Sequence, residues 1–409
     1  MDYWFHEFPN GLRLIHQGIH SNVSHLAVFI QAGSRDEKAS KEGLAHLVEH
    51  NLFKGTKKRN AFQVMNRIEA IGADFNAFTT KEETCLYASF LSSYYPRVIE
   101  LFGDILLHSA FPKKEIENEK EVVLNEIASY EDDLDENLLD EFENRIFDHH
   151  PLGHSILGTA SSVSQLSQND LNDFMAQSYN PSSILMISAG DIQPQLLTQI
   201  IARYFEDMPI INRSRQQNSP AVLPVFHLQQ LKPNHEAYCI MGIRTVEASH
   251  PHYFALNLLN NILGGNSMTS RLNLSLREKH GLTYNIESNY TSYSDAGYLY
   301  VYFQTSPENI SSATKLIQKE LKTLSSKKLG YLQLSQAKRQ YLGQTAIAWD
   351  IHQNRILNMG RQMLSQGRIY DPHDISLIIN QITAEQLQEI AIEYLDYANF
   401  STLMFYPDL

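Results

Sequence analysis

Cysteine is scarce in this sequence: the 409 residues include two, Cys85 and Cys239, which lie far apart in the chain. Such a pair forms neither a disulfide framework nor a cysteine-based zinc site, and we interpret both as small buried hydrophobic residues. No apolar run reaches the roughly eighteen residues that a membrane-spanning helix needs. The amino terminus also lacks the basic and apolar regions of a signal peptide, so we expect a soluble cytoplasmic protein unless a leader precedes this sequence.

Basic charge is also in short supply, since acidic residues outnumber basic ones and the formal net charge is −13. The imbalance lies in the first half: residues 1–207 carry a net charge of −15, and residues 208–409 a net charge of +2. A strongly negative face argues against nucleic acid as a partner and favours a basic peptide as substrate. The alternative interpretation is that these carboxylates only keep helix surfaces solvated.

The length of the chain predicts two to three domains, and its 43% of hydrophobic residues suffices for sizeable cores. The polar, irregular segment 211–223 is the best linker candidate and falls near the midpoint of the chain. We therefore predict one domain over residues 1–210 and a second over residues 224–409.

A weak internal repeat supports this division. Residues 23–35 have a counterpart in 236–249, and residues 180–191 have one in 399–408, both at an offset of roughly 215 residues. The apolar helical pattern of 253–263 falls where the first half has a histidine-rich helix, but it contains neither His nor Glu. Two similar halves are expected, of which one binds a metal.

That histidine-rich helix carries the clearest chemical motif, His46-x-x-Glu49-His50. At 3.6 residues per turn, His46 and His50 lie at i and i+4 on one face, with Glu49 beside them. Two imidazoles one turn apart can share a zinc ion, and a carboxylate that does not ligate can take a proton from the metal-bound water. The motif is the inverted-zincin signature. The plainer alternative is a pair of polar residues on an amphipathic helix.

A third ligand is sought among the carboxylates of the helical stretch 113–147. Glu119 and Glu126 are two turns apart and share a face with apolar Val122 and Val123. A carboxylate on a partly apolar face needs a partner, and a metal is one such partner. Taken alone, either glutamate is better explained as part of an exposed helix.

Local patterns predict the elements around the motif. They are a buried strand over 23–32, a motif helix with Ser40 as N-cap and Gly55 as stop, a helix over 61–71 with Asn60 and Gln63 as a capping box, a hairpin of 73–80 and 84–90, a helix over 94–108, and a long helical stretch over 113–147. The histidines of 149–154 are predicted to lie in a loop, because Pro151 and Gly153 interrupt any helical spacing.

The whole pattern resembles the insulinase/pitrilysin (M16) family of zinc metallopeptidases, in particular its short members that are similar to the mitochondrial processing peptidase β subunit and to bacterial processing proteases. Two motifs carry the resemblance: His46-x-x-Glu49-His50, followed by Leu52-Phe53-Lys54-Gly55-Thr56, and Glu119-x₆-Glu126, whose second glutamate follows His50 by 76 residues. The resemblance implies that His46, His50 and Glu126 ligate one Zn²⁺ per chain. It further implies that Glu49 is the general base and that Glu119 orients a ligand.

The same resemblance assigns roles outside the metal helices. The stretch Phe75-Asn76-Ala77-Phe78-Thr79 resembles the family's edge strand, which pairs with extended substrate backbone, and Phe75, Asn76, Ala77 and Phe78 are the substrate-binding residues that it implies. In the second half, Arg277-x₆-Tyr284 resembles the Arg/Tyr pair that reaches the substrate and stabilises the tetrahedral intermediate. On sequence physics alone, Arg277 is a surface arginine and Tyr284 a core tyrosine.

The resemblance also implies a fold and a function. The fold class is α+β, an α/β mixed sandwich of two homologous domains, each a largely antiparallel sheet packed with helices. The expected activity is that of a zinc metalloendopeptidase that cleaves unfolded peptides in a chamber between the two domains. Its expected partners are peptide substrates with basic residues near the cleaved bond, and a second copy of the chain in a homodimer. Neither nucleic acid nor a membrane is expected as a partner. A non-catalytic assembly or chaperone-like subunit of the same fold is the alternative.

Overall fold

The computed structural model describes residues 3–210 and 218–408, and this part of the chain forms eleven strands and fourteen α-helices. The strands are β1 Trp4–Glu7, β2 Arg13–Gly18, β3 Val23–Ile30, β4 Asp74–Thr79, β5 Thr84–Leu91, β6 Ile184–Gly190, β7 His227–Lys232, β8 Ala237–Thr245, β9 Ile286–Ser292, β10 Gly297–Thr305 and β11 Ser401–Pro407. The helices of the first half are α1 Leu44–Leu52, α2 Ala61–Glu69, α3 Tyr95–His108, α4 Lys113–Asp132, α5 Leu134–Ile146, α6 Ala160–Gln165, α7 Gln168–Ser178 and α8 Pro194–Phe205. Those of the second half are α9 Tyr253–Gly264, α10 Ile310–Ser326, α11 Tyr331–Asp350, α12 His352–Gln366, α13 Pro372–Gln381 and α14 Ala384–Tyr394.

The strands form two sheets that repeat one topology. The first sheet has the order β1-β2-β6-β3-β5-β4, and the second has the order β7-β11-β8-β10-β9. In the first sheet only β2 and β6 are parallel, and in the second only β7 and β11 are, among the described strands. The strands β7, β11, β8, β10 and β9 therefore occupy the places of β2, β6, β3, β5 and β4. This agreement confirms the predicted α+β class and the internal repeat.

The described residues form two compact units, each assembled from separate stretches of the chain. Unit 1 holds residues 3–129, 154–210 and 350–364, and unit 2 holds residues 130–153, 218–349 and 365–408. Helix α5 thus belongs to the unit of the second half, and most of α12 belongs to the unit of the first half. The predicted domains 1–210 and 224–409 differ from the compact units in these two segments. Of the predicted linker 211–223, residues 211–217 lie outside the described residues.

In unit 1, both faces of the sheet are covered by helices. On one face, Leu26, Val28 and Leu86 pack with the apolar side of α1 and with α3. On the other face, Phe29 is fully buried beneath Gly360 of α12, where an added Cβ would overlap the Phe29 ring. Such a close approach requires glycine, so Gly360 allows α12 to pack closely against Phe29.

Unit 2 is built in the same way. One face of its sheet packs against α9, α10 and α14 around residues such as Met241 and Leu299. The other face packs against α5, whose Leu138 and Phe142 are fully buried beside Phe405. Burial of apolar residues on both sheet faces is what stabilises each unit.

Most of the local predictions are confirmed. Asn60 and Gln63 form the expected capping box at the start of α2, and the hairpin and the helix after it lie where predicted. The predicted helical stretch 113–147 consists of two helices, α4 and α5. They are separated at Asp133, whose carboxylate accepts hydrogen bonds from the backbone N–H groups of Asp135 and Glu136 at the start of α5. Cys85 and Cys239 are both buried thiols.

No helix in the described residues is both long enough and apolar enough to cross a bilayer.

Candidate metal centre

Helix α1 is fixed in unit 1 by its apolar face, on which Leu47, Val48 and Leu52 are fully buried. The predicted N-cap Ser40 is wrong, because the helix begins at Leu44 after Gly43, which has a φ of 86°. The buried carboxylate of Glu37 accepts hydrogen bonds from the N–H of Gly43 at 2.9 Å and the N–H of Ala45 at 2.6 Å. An acidic side chain at the N-terminus of a helix accepts hydrogen bonds from backbone N–H groups that have no partner within the helix. It also interacts favourably with the positive end of the helix dipole.

The three predicted metal ligands lie together. His46 and His50 project from α1 toward Glu126 of α4, and each imidazole Nε2 lies close to Glu126 Oε2, at 3.8 Å for His46 and 3.7 Å for His50. One ligand atom from each residue lies within 4.8 Å of the others. Within the described residues, this is the one group of three or more His, Cys, Asp or Glu that could hold a metal ion.

The donor set fits zinc. Zinc bonds to histidine nitrogen and carboxylate oxygen are about 2.0–2.2 Å long, so two ligand atoms of a tetrahedral site lie about 3.4 Å apart. The observed separations of 3.7 and 3.8 Å need to shrink by only a few tenths of an ångström. Burial, and next the neighbouring His50 ring, lower the pKa of His46 to about 4. His46 is therefore neutral at pH 7, which is the form that binds a metal.

Glu119, on the same helix as Glu126, holds the second imidazole. Its Oε2 lies 3.1 Å from Nδ1 of His50, and its Oε1 lies 2.7 Å from Nζ of Lys54. With the proton on Nδ1, His50 donates to Glu119 and presents a lone pair on Nε2 to the metal position. Only 7% of Glu119 is exposed, and Lys54 balances the charge of this buried carboxylate.

Glu49 lies close enough to His50 and Glu126 to interact electrostatically with both. The hydroxyl of Thr79 donates a hydrogen bond to Glu49 Oε2 at 3.1 Å. Burial raises the pKa of Glu49, and the nearby Glu126 adds to this, while His50 and the Thr79 hydroxyl act in the opposite direction. A partly desolvated carboxylate beside the metal position is suited to accept and return a proton.

Thr79 ends strand β4, which is an edge strand: within the described residues β4 pairs with β5 alone. In the hairpin turn, the N–H of Thr80 donates to the carbonyl of Glu83 at 2.8 Å. Because bonded and non-bonded pairs alternate along antiparallel strands, the backbone groups of Thr79 and Ala77 point away from β5. The N–H of Ala77 is in fact bonded to the side chain of Asn76 at 2.8 Å and not to β5.

The side chains of the predicted substrate strand face two ways. Phe75 packs into the core, with its ring 4.9 Å from that of Phe53 and 5.4 Å from that of Phe102. Phe78 points to the opposite face, where the guanidinium of Arg361 lies 5.0 Å from its ring centre. What β4 offers a ligand is therefore mainly its backbone edge.

The two predicted site residues of the second half belong to unit 2, whereas the predicted metal ligands belong to unit 1. Arg277 lies in a π-helical segment, Asn273–Lys279, and its Nε is 3.8 Å from a carboxylate oxygen of Glu278. The interpretation of Tyr284 as a core tyrosine is wrong, because 92% of the residue is exposed. Tyr284 follows the turn at Gly281, outside any strand or helix, and so presents its phenol to solvent.

Sequence reasoning missed two residues of this centre. Glu37 lies before the helix that it stabilises, and no periodic pattern connects them. Thr79 lies in the predicted substrate strand, but its contact with Glu49 joins a strand to a helix. No characteristic spacing in the sequence indicates such a contact. The one feature of the sequence that could have indicated this contact is the polar side chain of Thr79 at the end of the predicted edge strand.

The chain is similar to known proteins over most of its length. Residues 15–160 match the family model described as insulinase (peptidase family M16), and residues 165–341 match the model described as the peptidase M16 inactive domain. An uncharacterized zinc protease of Bacillus subtilis is 30% identical over 386 residues, covering 93% of this chain and 92% of the relative. The mitochondrial-processing peptidase subunit beta of Saccharomyces cerevisiae is 27% identical over 400 residues, covering 93% of this chain and 86% of the relative.

The fold is shared with solved structures as well. A peptidase M16 inactive domain from Pseudomonas fluorescens superposes with a TM-score of 0.93 at 20% identity, covering 100% of this chain and 98% of the other.

Proposed function

The chain belongs to the insulinase (peptidase M16) family, and from this membership we infer that it is a zinc-dependent endopeptidase that hydrolyses unfolded peptides or oligopeptides. The observation that carries the proposal is the convergence of His46, His50 and Glu126 beside Glu49. Three protein ligands are the number typical of catalytic zinc sites, whereas structural zinc sites have four, so these residues would hold a zinc ion that can also bind water or substrate.

In the proposed reaction, His46, His50 and Glu126 hold the zinc ion, which when bound acidifies a water molecule and polarises the carbonyl of the peptide bond. Glu49 accepts the proton of the attacking water and later donates it to the leaving amine. Glu119 keeps His50 in the orientation and tautomer that ligation needs. Burial favours this proton cycle, because it raises the pKa of Glu49 and makes the ionised carboxylate a stronger base.

The open edge of β4 supports peptides as substrates. An extended peptide can add to an edge strand through backbone hydrogen bonds, irrespective of its side chains. The backbone groups of Ala77 and Thr79 are directed to that edge, and the Asn76 side chain must release the Ala77 N–H when a peptide pairs there. Since only an extended chain can pair in this way, the proposed substrates are unfolded.

For Arg277 and Tyr284 we propose contact with the bound peptide, with Tyr284 donating a hydrogen bond to the oxygen that becomes negative in the transition state. The exposure of the Tyr284 phenol supports this role, since it is free to meet a substrate. Loss of one such donor typically lowers the rate by about 10²–10³.

A preference for basic residues near the cut is a further part of the proposal. It is supported by the net charge of −15 over residues 1–207. It is also supported by a cavity of about 140 Å³ in unit 2, lined by Asp135, Glu136 and Glu287 beside two tyrosine rings. Carboxylates and aromatic rings in one cavity suit a guanidinium or ammonium group.

We also propose that the chain works as a homodimer, as the resemblance to short family members implies. Light scattering of the purified protein is expected to give the mass of two chains. A monomer at all concentrations would contradict this part of the proposal.

The alternative is a non-catalytic assembly or chaperone-like subunit. It draws support from the match of residues 165–341 to a model described as an inactive domain. The complete ligand set and the base in the first half favour the peptidase instead.

The experiment that tests the proposal is cleavage of a mixed peptide library by the purified chain, read by mass spectrometry. We expect cleavage that stops with a zinc chelator and returns on adding zinc. A library that stays intact with zinc present would favour the non-catalytic alternative, and cleavage unaffected by the chelator would contradict a zinc mechanism.

A further inference from the structure

The hydrogen bond from Thr79 to Glu49 joins two parts of the site that have separate tasks. Thr79 is the last residue of the edge strand β4, and Glu49 is on the metal-binding helix α1. The distance between the Thr79 hydroxyl oxygen and Glu49 Oε2 is 3.1 Å. We propose that Thr79 is a positioning residue that fixes the general base Glu49 and couples its orientation to the binding of peptide along β4. This inference rests on the proposed peptidase function.

The first step of the argument concerns the two oxygens of Glu49. Thr79 holds Oε2, and no other hydrogen bond to the carboxylate of Glu49 occurs in the described part of the chain. Without this bond the carboxylate could rotate about its last side-chain torsion, which is broad and has no sharply preferred angle. With it, Oε1 is left free to accept a proton at a defined place. General-base catalysis depends on such geometry before it depends on acidity.

The second step concerns the backbone of Thr79. The register of the hairpin directs the backbone groups of Thr79 and Ala77 to the open edge of the sheet. A peptide that pairs with this edge therefore bonds to the backbone of the residue whose side chain holds Glu49. The same residue sets the position of the peptide and the position of the base relative to one another.

The third step concerns the stiffness of the connection. Thr79 is β-branched, so its side-chain rotation is restricted within a strand. It is followed by a tight turn that is closed by the backbone hydrogen bond from the N–H of Thr80 to the carbonyl of Glu83 at 2.8 Å. The hydroxyl of Thr79 is therefore delivered to Glu49 by a short, well-anchored segment, as a residue that orients a catalytic group requires.

A purely structural role for Thr79 makes a different prediction. If the hydroxyl only stabilises the hairpin, its loss lowers the stability of the fold, and turnover and peptide binding fall together. If it positions Glu49, kcat falls while KM and zinc content stay close to those of the wild type. Serine, which keeps the hydroxyl, restores kcat in the second case.

The test uses the full-length wild type, Thr79→Val, Thr79→Ser and the neighbouring control Thr80→Val, all loaded with zinc. We expect Thr79→Val to lower kcat by about 10–100-fold, as the loss of a hydrogen bond to a charged group implies, with KM changed by less than about threefold. Thr79→Ser is expected to remain within about fivefold of the wild-type kcat. Thr80→Val removes a hydroxyl from the same hairpin without touching Glu49, and it is expected to keep most of the wild-type kcat.

Three results would overturn the inference while leaving the proposed function intact: Thr79→Val as active as the wild type, Thr79→Ser as poor as Thr79→Val, or Thr80→Val as poor as Thr79→Val. A wild-type protein that hydrolyses no peptide overturns the proposed function and the inference with it.

Discussion

Replacing Glu119 by Gln tests the carboxylate that supports the second histidine ligand. The substitution keeps the shape of a buried side chain but removes the charge that faces both His50 Nδ1 at 3.1 Å and Lys54 Nζ at 2.7 Å. Loss of a partner that orients a ligating histidine typically weakens metal binding about 10–100-fold, or about 1.4–2.8 kcal/mol. We expect the zinc dissociation constant of the variant to rise by that factor, measured by competition with a chromophoric chelator.

Glu117 on the same helix provides a matched control. Its side chain is 70% exposed and pairs with Lys120 at 2.9 Å, away from the histidines. Glu117 contacts neither histidine, so Glu117→Gln should bind zinc as the wild type does. If Glu119→Gln also binds zinc with unchanged affinity, Glu119 does not orient His50 and that part of the mechanism is refuted.

Further predictions concern the stability of the fold. Gly360→Ala places a methyl group into the buried ring of Phe29 and should lower the free energy of unfolding by about 1–3 kcal/mol in denaturant titrations. Gly343→Ala on α11, where an added Cβ meets nothing within 4 Å, should instead stabilise by about 0.5–1 kcal/mol, and an equal loss in both variants would refute the packing argument. Burial, followed by His352 and Arg355, lowers the pKa of His25 to about 4, so the unfolded chain binds more protons between about pH 4 and 6.5. Stability should therefore fall as the pH drops through that range, and thermal melts of His25→Gln should show a smaller fall than the wild type, whereas parallel pH profiles would contradict this.

The features that could be predicted from sequence are those with a local or periodic signal. The capping box of Asn60 and Gln63 lies within one turn, and the spacing of His46 and His50 is that of one helix face. The pairing of Glu126 with these histidines was out of reach of periodicity and came from the resemblance to a family. The geometry then brought all three ligand atoms within 4.8 Å of one another.

The features that were missed depend on contacts between distant segments. Asp133 stands in an acidic run that reads as an exposed helix, yet its carboxylate starts a new helix. Glu37 caps α1 across a turn, and Thr79 reaches Glu49 from a strand. The placement of α12 on the sheet of unit 1 depends on the fit between Gly360 and Phe29, which are far apart in the chain. No sequence period records such contacts.

Glu49→Gln tests the central claim most directly, with zinc content and peptide hydrolysis measured on the same purified sample. Glu49 does not belong to the three-residue ligand set, so the variant should retain one zinc ion per chain. Without a carboxylate to accept the proton of the attacking water, it should lose nearly all hydrolysis. A variant that binds zinc and cleaves peptides as fast as the wild type would contradict the claim that Glu49 is the general base of a zinc peptidase.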